Sequence, residues 1–215
     1  MSETPSFEAV IFDNDGTLVD SESITLSVIM DMAIEHGADV RPGDAERFVG
    51  SHLQVVFTEI ASRAGKPVPH DFIDTFRTRQ TERIEQGLEE IPGATAVLEH
   101  LTALGIPFGV ASNAPQAKMA LCLKATGLDR FFPVAHRTSA YDIESWKPLP
   151  DIFIHAAKTL GVPIERCAIV EDSDTGIEAG LAAQATVFAI DPRGRYESHP
   201  DVISLSALAD FKTFL

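Results

Sequence analysis

Cationic charge is scarce in this chain. Seventeen Lys and Arg face 32 Asp and Glu, for a formal net charge of −15 at pH 7. A chain of this kind repels nucleic acid and anionic membrane surfaces, so neither is an expected partner. The same field repels a phosphorylated metabolite, and any phosphate site must be offset locally by a cation or a metal ion. Cysteine is also sparse. Cys122 and Cys167 lack metal-ligand spacing and read as two reduced thiols of a cytosolic protein. No apolar run approaches the length of a bilayer span. Residues Met1 to Phe7 hold no basic segment followed by an apolar one, so no signal peptide is expected and a cytoplasmic location is. There is no internal repeat and no low-complexity tract. No strong apolar patch is legible, so a monomer is expected.

What is present is enough hydrophobic material for a core: 45 % of 215 residues, the size of one domain or of a core domain with a small insert. Short apolar runs alternate with longer helical patterns, which predicts an α/β protein with a parallel sheet covered by helices on both faces. The strand candidates are Ala9–Phe12, Phe108–Ala111, Ala168–Val170 and Thr186–Ile190, with weaker ones near Val134 and at Val202–Ile203. Helical patterns run over Ala94–Leu104, Gln116–Ala125, Asp151–Leu160 and Gly176–Ala183. Gly105, Gly127 and Gly161 follow three of them, where a left-handed residue is wanted.

From about Val19 to Leu88 the pattern changes. It is helical throughout, over Ile24–His36, Leu53–Ala64 and Asp71–Glu85, with breaks at Gly37, Pro42, Gly65–Pro67 and Pro69. This predicts a helical cap domain, residues 19–88, inserted into a core of residues 1–18 and 89–215. Hinges are expected near Val19–Asp20 and Glu89–Pro92, where cap closure would exclude water from the cleft.

Four polar sites lie at or beyond predicted strand ends. Asp13 and Asp15 follow the first strand, and Ser112 and Asn113 the second. Lys147 lies in the loop after the Val134 candidate, and Glu171 and Asp172 follow Ala168–Val170. Open parallel sheets bind ligands outside the carboxyl ends of their strands, so these residues are expected to converge on one crevice. Two carboxylates two residues apart can do two jobs when their environments differ, one as nucleophile and one holding a proton. Gly16 allows a sharp turn whose N–H groups can cradle phosphate. A hydroxyl and an amide can hydrogen-bond phosphoryl oxygens. Adjacent carboxylates repel unless a cation sits between them, and hard oxygen ligands suit Mg²⁺. Each site also has a plainer reading: a polar turn, a helix cap ahead of Pro115, a solvated lysine, an acidic helix start.

Together the four resemble the motifs of the haloacid dehalogenase (HAD) superfamily. The first is Asp13-x-Asp15-Gly16-Thr17-Leu18, extended by Val19-Asp20-Ser21-Glu22. The second is Ser112-Asn113, and the third Lys147-Pro148 with Asp151. The fourth is Val170-Glu171-Asp172-Ser173, followed by Gly176-Ile177-Glu178-Ala179-Gly180. The resemblance covers nearly the whole chain. It implies a Rossmann-like core, Asp13 as the nucleophile that forms an aspartyl-phosphate, and Asp15 as general acid and then base. Ser112 and Lys147 would hold the phosphoryl oxygens. Mg²⁺ would be held by Asp13, the Asp15 carbonyl and Asp172, with Glu171 direct or through water.

The resemblance also bears on substrate. β-Phosphoglucomutases of the same fold carry a basic cap stretch, and the matching segment here is Val49-Gly50-Ser51-His52-Leu53, with valine and leucine at the two basic positions. A phosphomonoesterase is therefore expected. Its alternatives are a mutase-type phosphotransferase and a non-catalytic metabolite-binding protein. The loop Ala140-Tyr141-Asp142-Ile143-Glu144-Ser145-Trp146-Lys147-Pro148 and the segment Ser112–Met119 are similar to the 6-phosphogluconate phosphatase group. That similarity implies a sugar or sugar-acid phosphate. Thr17, Asn113, Glu22 and His52, with Gln54, are the candidate substrate contacts. Trp146 is expected to wedge its loop, and His36, His100 and His155 to be surface residues.

Overall fold

The computed structural model describes residues 7–41, 43, 44 and 53–215, with residues 53 and 54 described by their backbone only. The strands are β1 (Ala9–Phe12), β2 (Phe108–Ser112), β3 (Arg137–Ser139), β4 (Cys167–Glu171), β5 (Thr186–Ile190) and β6 (Val202–Leu205). They form one parallel sheet in the order β3-β2-β1-β4-β5-β6. The chain steps outward from β1 to β3, then returns to the other side of β1 for β4. The strand order therefore reverses at β1, and the crevice beyond its carboxyl end is the expected ligand position.

The apolar run of β1 is buried throughout because both sheet faces are covered. Side chains alternate between the faces. Ala9 and Ile11 join Ala111, Cys167 and Ile169 against Ile152, Phe153 and Ala156 of one helix and Ala179 of another. Phe12 turns the other way, edge-to-face with Phe211, which in turn packs on Phe188.

The chain divides into two compact units, Met1–Asp20 with Glu89–Leu215, and Ser21–Leu88. The second unit contains α1 (Ser21–Glu35), α2 (Leu53–Ala64) and α3 (Phe72–Gln86). Its own core is built from Val28, Ile29 and Met32 of α1, Phe57 and Ile60 of α2, and Phe72 and Phe76 of α3. His36, expected at the surface, is instead half-buried and edge-to-face with Phe72.

In the first unit the helices are α4 (Ala94–Leu104), α5 (Gln116–Thr126), the single turn α6 (Ala140–Ile143), α7 (Asp151–Leu160) and α8 (Asp174–Ala182). Gly105, Gly127 and Gly161 close α4, α5 and α7 in the left-handed conformation, with φ of 70°, 72° and 74°. The Val134 candidate is corrected: Val134–His136 is a 3₁₀ turn, and the strand begins three residues later at Arg137. At the boundary of the two units the two chain crossings pair. Val19 bridges Glu90, the Asp20 N–H donates to the Glu89 carbonyl at 3.0 Å, and the Ile91 N–H donates to the Leu18 carbonyl at 2.9 Å. Among the described residues no helix is long and apolar enough to cross a membrane.

Candidate active site

β1, β2 and β4 deliver their last side chains to one place, since parallel register aligns Phe12 with Val110 and with Val170. Asp13 follows β1 and is buried. Its carboxylate meets the Lys147 ammonium, brought in by the loop after α6. Lys147 uses all three donors: Asp13 Oδ1, Glu171 Oε1 at 2.7 Å and the Ala111 carbonyl at 3.0 Å. Its Nζ also lies 4.8 Å from the Phe153 ring centroid. The loop that carries it is held by Asn113, whose Oδ1 accepts from the Lys147 N–H at 2.9 Å and whose Nδ2 donates to the Lys147 carbonyl at 3.4 Å. The Lys147–Pro148 peptide is cis. Asn113, expected to touch substrate, here orients the lysine backbone.

Glu171 is completely buried at the end of β4. Its Oε2 accepts from the Asp172 N–H, the Ser173 N–H and the Ser173 hydroxyl at 2.8 to 2.9 Å. Ser173 also caps α8, its Oγ accepting from the Gly176 N–H at 3.1 Å. Asp172 Oδ1 accepts from the Thr17 hydroxyl at 2.7 Å. Gly16 sits beside it with φ of +90°, and a Cβ there would come within 2.8 Å of Asp172 Cγ. Two separate demands, a left-handed backbone and the approach of a carboxylate, thus require glycine.

Asp15 does not join the carboxylates around Lys147. Its Oδ2 accepts from the Ser112 hydroxyl at 3.1 Å and its Oδ1 from Lys118 Nζ at 2.8 Å. Lys118, in the first turn of α5, was not among the residues expected from sequence. Its signals are a position six residues past a strand-end serine and its place in the Ser112–Met119 segment, and neither says which carboxylate it reaches. Asn14, between the two aspartates, is wholly buried, and neither amide atom finds a hydrogen-bond partner of normal geometry; its neighbour is the Cys122 thiol.

Glu22 lies in the first turn of α1, in the other unit, and is half-buried. His52 and the segment Val49–His52 lie outside the described residues, as does the Gln54 side chain. Trp146 packs on Tyr141 within its own loop. It is 42 % exposed and edge-to-face with Tyr141, ring centroids 5.6 Å apart.

The electrostatics follow from the arrangement. Burial pushes the Asp13 carboxyl well above the ordinary carboxylate range. Lys147 pulls it back, and Glu171, Asp172 and Asp15 raise it again. Burial alone would depress Lys147, but Asp13 and Glu171 outweigh it and hold the ammonium charged. Burial likewise acts against Lys118 and is outweighed by Asp15. Four carboxylates face two ammonium groups, a formal surplus of two negative charges. One oxygen each from Asp13, Glu171 and Asp172 lie within 4.8 Å of one another, a set that could hold a metal ion. An all-carboxylate donor set suits a hard divalent cation, and its charge would match the surplus.

A parallel sheet whose order reverses at a strand ending in a buried aspartate, with a lysine and a carboxylate pair around it, defines a hydrolase of the haloacid dehalogenase-like class. A family model for haloacid dehalogenase-like hydrolases matches residues 10–190, and the chain belongs to that family. It is 34 % identical over 206 residues to the 6-phosphogluconate phosphatase of Escherichia coli (strain K12), covering 94 % of this chain and 91 % of that one. Hexitol phosphatase A of the same strain is 31 % identical over 185 residues, covering 84 % and 82 %. A solved HAD family hydrolase from Deinococcus radiodurans R1, with bound phosphate and sodium, superposes with a TM-score of 0.82 at 31 % identity, covering 98 % of this chain and 95 % of that one.

Proposed function

We propose that the chain is a phosphomonoesterase acting on a small sugar or sugar-acid phosphate, of which 6-phosphogluconate is the leading candidate. The observation that carries this reading is the buried contact between the Asp13 carboxylate and the Lys147 ammonium at the carboxyl end of the central strand. A carboxylate held there beside a fixed cation can attack phosphorus, because the ammonium offsets the charge of both nucleophile and phosphate. Relatives named as phosphatases of 6-phosphogluconate and of hexitol phosphates support the substrate class.

In the first step an Asp13 oxygen bonds to phosphorus as the bond to the leaving oxygen breaks. Asp15 gives that oxygen its proton, so the sugar leaves as an alcohol. In the second step water attacks phosphorus, Asp15 takes a proton back, and the Asp13–phosphorus bond breaks to release phosphate. Lys147 neutralises the phosphoryl oxygens in both steps, and the Ser112 hydroxyl can turn from Asp15 to them. Asp13, Glu171 and Asp172, with the Asp15 carbonyl, would hold Mg²⁺. When bound, the ion supplies positive charge against the phosphoryl oxygens. We further propose that the inserted unit, Ser21–Leu88, is the cap that selects substrate, with Glu22 and His52 among its contacts.

The test is phosphate release from a panel of 6-phosphogluconate, hexose phosphates, phosphoglycolate and nucleotides, with Mg²⁺ and with a chelator. Release that needs Mg²⁺, favours sugar or sugar-acid phosphates and is abolished in Asp13→Asn is expected. No release from any member would overturn the reading.

A further inference from the structure

Lys118 has no part in the chemistry above, yet it is one of two lysines at the site. Its helix is fixed where it starts. The Gln116 side chain donates to the Arg137 carbonyl at 2.9 Å, and the Ser139 hydroxyl donates to the Ala114 carbonyl at 2.7 Å. Met119, Cys122 and Leu123 of α5 are fully buried in the core. The Lys118 backbone therefore has a set position, and its Nζ reaches Asp15 Oδ1 at 2.8 Å. Ser112, which ends β2 just before α5, takes the other oxygen at 3.1 Å. Both Asp15 oxygens are thus held by one strand–helix unit, while Asp13 is held by Lys147 from a different loop. The two lysines divide the two aspartates between them.

We propose that Lys118 is a positioning residue for Asp15, setting the rotamer from which Asp15 exchanges protons with the leaving group and with water. The inference rests on the phosphatase reading. Its basis is geometric: a carboxylate on a turn, 25 % exposed, keeps one orientation only if both oxygens are held. A positioned general acid matters in proportion to the basicity of the leaving group. The alkoxide of a sugar needs the proton as the P–O bond breaks, and p-nitrophenolate does not. A lysine that bound the phosphoryl group instead would serve both substrates alike.

The experiment compares kcat/KM for 6-phosphogluconate, or the fastest sugar phosphate of the panel, with that for p-nitrophenyl phosphate. It uses wild type, Lys118→Met, Lys118→Gln and Lys118→Arg, each checked for folding by thermal melting. Loss of general-acid function costs about 10²- to 10⁴-fold, so a misplaced acid is expected to lower the sugar phosphate about tenfold or more beyond p-nitrophenyl phosphate. Lys118→Arg should recover part of the difference. In an Asp15→Asn background, Lys118→Met should add no further difference between the substrates. Equal losses on both substrates, or no loss on either, would overturn the proposal and leave the phosphatase reading standing. Failure of the wild type to release phosphate from any substrate would overturn both. If Lys118→Met does not fold, Lys118→Gln and Lys118→Arg give the same comparison.

Discussion

Gly176, in the first turn of α8, stands against the carboxylate of Glu171, and a Cβ at position 176 would overlap that carboxylate. Three donors from the Asp172–Ser173 turn hold Oε2 of the same carboxylate, and Lys147 holds its Oε1. Gly176→Ala should therefore move Glu171. Overpacking of this kind costs about 1–3 kcal/mol, seen as a lower melting temperature. Disturbing a metal ligand in this way should raise the Mg²⁺ concentration for half-maximal activity by about 10- to 100-fold. An unchanged Mg²⁺ titration would place Glu171 outside the metal site.

The Lys147 ammonium touches both Asp13 and Glu171. Lys147→Met leaves two buried carboxylates uncompensated, a loss of about 3–5 kcal/mol, together with loss of activity. An ion held by the same carboxylates would offset part of that loss. Urea unfolding of Lys147→Met should therefore show a larger stability deficit in chelator than in Mg²⁺. An equal deficit under both conditions would mean that these carboxylates do not share the ion.

Asn14 keeps an amide wholly buried without a hydrogen-bond partner of normal geometry. Such a group costs about 1–3 kcal/mol to desolvate. Asn14→Leu, which keeps the branched heavy-atom shape, should raise the urea midpoint, a gain of about 1 kcal/mol. A lower midpoint would show that the amide is satisfied in solution.

Burial, with Asp15 nearby, pushes the Cys122 thiol up from 9.0 to about 12, and burial and Glu165 push Cys167 up to about 11. Both stay protonated at pH 8, where thiol-alkylating reagents should label the unfolded chain and leave the native one unlabelled. The sign for stability follows. Above the ordinary thiol value the unfolded chain gives up protons that the folded chain retains. Stability should then fall as pH rises from about 9 towards 12. Rapid native-state labelling of either cysteine at pH 8 would contradict this.

The strands covered on both faces were legible because continuous apolar runs such as Ala9–Phe12 have no other use. The edge strand β3 was not. Arg137-Thr138-Ser139 is polar, and it can lie in the sheet because the Ser139 hydroxyl is hydrogen-bonded to the Ala114 carbonyl, while Val134 after Pro133 is drawn into a 3₁₀ turn. At the site, sequence brought out the residues at strand ends, whose direction the sheet dictates. It missed Lys118, whose partner Asp15 is 103 residues away and reachable only once α5 is docked. Nor did it show that Asn113 holds the Lys147 backbone, because hydrogen bonds to the backbone of a distant loop leave no mark on composition.

The paired crossings at Val19–Glu90 and Asp20–Glu89 carry a consequence for ancestry and engineering alike. The inserted segment leaves and re-enters the first unit through neighbouring, hydrogen-bonded backbone, so a short splice between these positions could close the sheet-bearing chain without the insert. A helical module with adjacent ends can be exchanged as a cassette while the strands that carry Asp13, Ser112 and Glu171 keep their register.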